Sequence, residues 1–294
     1  MTGIYVHLEA SPESWCGISA ARSIPRPGTR ETMTDQQNQA PGAALCWICN
    51  RNEANSGEHK TKRSDLAAVL GSPTQDRPLY FHDLERRNKP VKSLDAKILK
   101  APIRICHECN TARTQLHDRA WEQMSDQLRC RRLVIPRWVR ANRIFRYDTR
   151  HQMINVHLFF LKLFGCMLGE AKANGHDLPI DIAPFSEAIM TGRPHPEVHL
   201  QFGKCDGAVG RSNLHCWKME HGSVLAGWLY ELDSIAVSVL FAQRGRWEHR
   251  ADLWHPLSHT SSKRFQIADF MFARRVAARD HSDHVVNAGS SIPT

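Results

Sequence analysis

Two cysteine pairs carry the first chemistry in this chain. Cys46-Trp47-Ile48-Cys49 and Cys106-His107-Glu108-Cys109 each place two thiols at the spacing of a zinc knuckle. Two such knuckles complete a tetrahedral four-thiolate structural site, able to hold together a module too small to fold on its own core. The rival reading, two separate redox pairs, lacks the strand-to-helix setting that such a pair requires. The 56 residues between the pairs exceed what a minimal finger needs. The other cysteines, Cys16, Cys130, Cys166, Cys205 and Cys216, are scattered and read as ordinary residues. This usage points to metal binding in a reducing compartment, hence a cytoplasmic protein, and not to a disulfide framework.

Between the pairs lies Gly57-Glu58-His59-Lys60, and directly after the second pair come Asn110 and Arg113. A carboxylate beside an imidazole can divide one task. The carboxylate holds a hard divalent cation and the imidazole takes a proton from water. The Asn110 amide offers a neutral oxygen ligand and is tied to a zinc cysteine; its other natural role is to cap the following helix. Arg113, one turn further on, could grip a phosphate oxygen with its forked donors. Asp118 is read equally as a tether for the helix, paired with a nearby Arg, and as a functional acid. His107 sits inside a knuckle, but four thiolates already fill a tetrahedron. Trp47 and Trp121 are expected as apolar cover for the module.

These pieces, CWIC at 46–49, GEHK at 57–60 and CHECNTARTQLHD at 106–118, resemble the HNH endonucleases of the ββα-metal class in their zinc-stabilised form. The arrangement is similar to that of the phage recombination endonuclease VII type. The resemblance covers residues 45–128 or so. It implies a treble-clef-like ββα-metal module in which a hairpin carries the acid–His pair and a helix carries the Asn. It also implies hydrolysis of phosphodiesters, in DNA by preference, with one divalent ion, Mg²⁺ or Mn²⁺. By position, Glu58 and Asn110 match the ligands of the catalytic metal and His59 the general base. Cys46, Cys49, Cys106 and Cys109 match the ligands of the structural Zn²⁺. Glu58 stands where Asp is more usual, and Asn110 where many members carry His. Two other readings keep the zinc: a nucleic-acid-binding protein that does not cleave, and a zinc module that docks another protein.

The elements that must position these residues come next. The chain has 294 residues, 41% hydrophobic and 23% charged, enough to bury a core and to exclude wholesale disorder. Net charge is +9. Residues 46–150 hold 22 basic and 12 acidic residues, so the excess belongs to that stretch. Arg129, Arg131, Arg132, Arg137, Arg140 and Arg143, continuing to Arg146 and Arg150, form the strongest candidate for contacts to a phosphate backbone. A solvated basic face is the plainer alternative.

The expected order is a mostly disordered 1–44, with Met33 an alternative start; the zinc-stabilised module at 45–128, with a polar insertion at 72–97; a basic connector at 129–150; and an α+β domain of unassigned role with an antiparallel sheet at 151–294. Helices are expected at 64–70, 111–128, 151–173, 184–191 and 264–278. Strands are expected at 79–81, 197–202, 213–219, 224–231 and 234–242, the last two meeting in a turn at Leu232-Asp233. His195 and His199 stand four apart, but the prolines at 194 and 196 argue against a helical two-histidine metal site. No apolar run reaches the roughly 20 residues of a membrane span.

Overall fold

A computed structural model describes residues 3–6, 44–75, 78–82, 88–130, 136–176, 178–219, 222–243, 253–257 and 264–270. The architecture is mixed α+β. Strands β2 (Ser56–His59) and β5 (Lys100–Ile105) pair as a separate two-stranded antiparallel sheet. Helix α1 (Arg63–Leu70) follows β2, and α2 (Gln115–Arg129) follows β5. A larger sheet is dominated by β7 (Val198–Ser212) and β9 (Val224–Ala242): β7 pairs antiparallel with residues 230–241 of β9, and the start of β9 pairs with β8 (His215–Lys218).

Helix α2 forms because Ala120, Trp121, Met124 and Leu128 recur at three and four and bury one face. That face meets α3 (Thr149–Ala173), a 25-residue helix buried on all sides along most of its length. By length and composition α3 could cross a membrane, but 89% of its most apolar window is buried inside the fold. It acts here as the central core helix. Trp121 stacks on Phe159 and meets Phe160 and Tyr230 edge-on, so α2, α3 and β9 share one aromatic cluster. A single cluster of buried side chains runs from Cys46 and Ile48 through α3 to Phe241 and Phe265. The residues after 150 therefore pack into the same core as the cysteine-bearing stretch.

The close approach of α3 to the first knuckle depends on Gly165. A Cβ there would lie 2.2 Å from the Trp47 ring. The small α4 (Ala183–Thr191) covers the outer side of α3, with Phe164 edge-on to Phe185.

Several sequence expectations need correction. The expected turn at Leu232-Asp233 is not a turn: β9 runs through it. Asp233 takes a positive φ of 58°, and the pairing with β7 shifts register between Lys204 and Ala208. The polar dipeptide marks an irregularity in a long strand because both flanks keep their partner. The expected helix at 264–278 begins instead as a strand, β10 (Arg264–Asp269), parallel to β7 and antiparallel to β6 (Trp138–Arg140). Its alternation of buried Phe265 and Ile267 with more exposed neighbours is the period of a strand. The residues beyond 270 lie outside the described ones.

Within the expected insertion, β3 (Leu79–His82) and β4 (Lys89–Val91) pair with each other and join the large sheet. Within the expected disordered start, β1 (Gly3–Val6) pairs with β3 and β7; residues 7–43 lie outside the described ones.

Candidate metal centre and adjoining cleft

The thiols of Cys46, Cys49, Cys106 and Cys109 all lie within 4.8 Å of one another. The Cys49 and Cys106 sulfurs are 3.8 Å apart. Zn–S bonds of about 2.3 Å in a tetrahedron require sulfur–sulfur edges of about 3.8 Å. The cluster thus has the size of a Zn²⁺ site, built from one knuckle before β2 and one after β5. Burial raises the Cys46 and Cys109 thiols above their ordinary range. Burial also works on Cys49, but the backbone N–H groups of Asn52 and Arg51 outweigh it and bring that thiol down to about 7. A bound cation would stabilise all four as thiolates. The exposed His107 is not among the clustered ligands.

The two-stranded sheet between the knuckles is irregular where the acid and the imidazole sit. Gly57 pairs with Arg104 and His59 with Lys100, so Glu58 alone faces Ala101, Pro102 and Ile103. Pro102 has no N–H for a ladder bond, which explains the break at this point. After the second knuckle, a π-helical turn over Cys109–Arg113 precedes α2 and presents Asn110.

A cavity of about 300 Å³ is lined by Glu58, His59, Asn110 and Asp118, together with Lys62, Arg63, Ser64 and Glu122. The sequence-derived trio of Glu58, His59 and Asn110 therefore shares one cleft beside the cysteine cluster. Arg113 does not line it; its guanidinium lies 3.5 Å from Glu108. Asn110 donates its amide N–H to the Ser56 hydroxyl at 2.8 Å, which leaves its oxygen as the group for another partner.

His59 is oriented by a backbone oxygen. Its Nε2 lies 3.0 Å from the Leu94 carbonyl, which can only accept, so Nε2 carries the proton. In the neutral ring Nδ1 then holds the lone pair. Burial lowers the affinity of His59 for a second proton, with Lys100 acting in the same direction and the Leu94 carbonyl opposing.

Glu58 has a different environment from the one expected of a metal ligand. It is buried, and its carboxylate lies 3.2 Å from the Lys162 ammonium. The same ammonium lies 3.0 Å from Asp118 and 3.4 Å from the Thr114 hydroxyl. Lys62 adds a contact to Asp118 at 3.4 Å. Burial raises the Glu58 carboxyl against the pull of Lys162, while the two carboxylates together overcome burial and keep Lys162 protonated. A divalent ion on Glu58 would share its one carboxylate with an ammonium already seated there. The donor set therefore fits a structural Zn²⁺ at the cysteines better than a Mg²⁺ or Mn²⁺ in the cleft.

Lys162, which sequence reasoning did not assign to the site, is the buried cation that Glu58 and Asp118 share. Its signal was a single charge within the apolar stretch 153–168 of α3. Asp118 pairs with lysines, not with an arginine. Of the basic run, Arg129 is mostly buried and pairs with Asp126, whereas Arg137, Arg140 and Arg143 are exposed. Arg131 and Arg132 lie outside the described residues. No known protein family matches the chain, and neither the curated proteins nor the solved structures contain a match.

Proposed function

We propose that this chain is a zinc-stabilised nucleic-acid-binding protein whose four-cysteine module folds against a large sheet and whose arginine-rich segment takes up a phosphate backbone. The observation that carries the reading is on the segment between α2 and α3. Arg137, Arg140, Arg143, Arg146 and Arg150 are all exposed, and none has an acidic partner among the described residues. Unpaired guanidinium groups in water retain their full donor capacity for phosphate oxygens. Contacts of this type give affinity without reading sequence.

A second reading, metal-dependent phosphodiester hydrolysis, is favoured by the shared cleft of Glu58, His59 and Asn110 and by the orientation of His59. Its Nδ1 lone pair would take the proton of an attacking water, and its lowered pKa keeps the ring neutral near pH 7. Glu58 and Asn110 would hold a Mg²⁺ or Mn²⁺, which supplies charge neutralisation at the phosphate. Against this reading stands the ammonium of Lys162 on Glu58. Under it, plasmid DNA should be nicked or linearised only with added Mg²⁺ or Mn²⁺, and H59A should abolish the cut. Under the first reading, DNA is bound in a salt-sensitive manner and remains intact with either ion. No affinity for any nucleic acid would leave the zinc module as a protein-docking unit.

A further inference from the structure

The arginine segment carries aromatic rings as well as charge. Trp138 is 44% exposed and Tyr147 is 86% exposed. Each adjoins an exposed arginine in sequence: Arg137 before Trp138, and Arg146 before Tyr147. The register of β6 against β10 fixes which way these side chains point. Val139 opposes Phe265, and both are buried at 2% exposure, so they face the core. Trp138 and Arg140 must then face outward, together with Arg264 and Gln266 of β10, because side chains alternate along a strand. On this outer face the Arg264 guanidinium lies 5.2 Å from the Trp138 ring centre, a cation–π contact. Strand β6 ends the strand order of the sheet, so this face borders an edge.

Exposed rings beside arginines that have no acidic partner among the described residues offer a ligand both stacking faces and phosphate contacts. The rings cannot reach the base faces of an intact duplex, where each base is already stacked on its neighbours. They can stack on bases that are unpaired, while the arginines follow the backbone. We infer that the 137–150 segment, with Arg264, is a binding surface for single-stranded nucleic acid. Trp138 and Tyr147 serve as stacking platforms, and the arginines serve as the phosphate track. The inference rests on the nucleic-acid-binding reading and narrows its partner from nucleic acid in general to unpaired strands.

The test uses the full-length chain with a 20-nucleotide oligo(dT), the matching oligo(U), and a duplex of equal length, read by fluorescence anisotropy over a salt series. Single strands should bind at least about tenfold tighter than the duplex. Y147A should weaken single-strand binding about five- to hundredfold and leave the duplex unchanged. Tyr147 is so exposed that its removal costs the fold little, and W138A should act in the same direction. R140A with R143A should reduce the slope of log affinity against log salt by about 1.4 on single strands. Equal or tighter binding of the duplex, or wild-type single-strand affinity in both aromatic variants, overturns this inference and leaves the nucleic-acid reading standing. If none of the three probes binds, both fail together.

Discussion

Around β2 and the start of α2 the apolar core holds a set of polar groups: the four clustered thiols, the Glu58 and Asp65 carboxylates, and the Lys162 ammonium reaching in from α3. Between β7 and β9 they are largely apolar: Leu200, Phe202, Leu232, Val237, Val239 and Phe241. Helix α3 belongs to both regions. The two sides fail differently. An apolar interface loses stability in proportion to the area it gives up. A buried polar set is stable only while every member has its partner, because the group left behind pays its full desolvation cost. The cysteine side therefore adds few, strong and interdependent terms to its apolar packing, while the sheet side relies on many small ones. Asp65 shows the pattern in miniature: it accepts from Trp121, Ser125 and Tyr230 at once, and so ties α1 to α2 and β9.

The largest expected effect comes from the thiol cluster. Removing the metal with a chelator, or one ligand with C106S, should cost on the order of 10 kcal/mol of metal-linked free energy. Metal analysis should give one Zn²⁺ per chain for the wild type. Because one buried cluster joins both regions, chelation should lower thermal stability in a single transition. Two separate transitions would show that the sheet stands without the metal and would break the view of a shared core.

Next in size is Lys162→Met, which leaves Glu58 and Asp118 without their buried cation. About 3–5 kcal/mol should be lost in urea unfolding. Pairing it with Glu58→Gln should recover part of that loss, since the orphaned carboxylate is then gone. A K162M protein as stable as the wild type would mean that the polar side is not interdependent.

The smallest effect tests a polar weakness on the sheet side. Burial first, and then the neighbouring His255 and His199, bring His195 down to about 4. The unfolded chain takes up this proton below about pH 6.5, and the folded chain only below about 4. Stability contributed by neutral His195 is thus present above pH 6.5 and is lost as pH falls from there to 4. The loss from this residue is at most roughly 3 kcal/mol. Urea midpoints of the wild type and H195N, compared at pH 7 and pH 5, should converge on acidification. Parallel lines would remove His195 from the account.

The outline of the polar side was legible in the chain. The two knuckles at three-residue spacing, the Glu58-His59 pair and the Asn110 step were all visible, because thiol, carboxylate and imidazole chemistry is local and the spacing is short. Helix α2 was legible from its apolar periodicity and α3 from its long apolar run; α1 and α4 were also expected close to where they lie. The C-terminal helix was misjudged at 264–269 because a six-residue stretch with alternating burial offers both periods, and only the neighbouring β7 and β6 select the strand. The turn at Leu232-Asp233 was misjudged because a polar pair reads alike whether it ends a strand or bends one.

The amino-acid sequence by itself determined that four thiols could gather around one ion, that an acid, an imidazole and an amide would stand close to them, and that positive charge would collect along 129–150. Those properties belong to residue types and short separations. The tertiary structure decided who partners whom across long separations. It put the Lys162 ammonium, more than a hundred residues from Glu58, onto that carboxylate. It turned Leu94 toward His59 and faced Trp138 and Arg140 outward while Val139 went inward. The physical reason is that a charge or a ring has many chemically equivalent partners in a chain, and only the packing of the apolar core selects the one within reach.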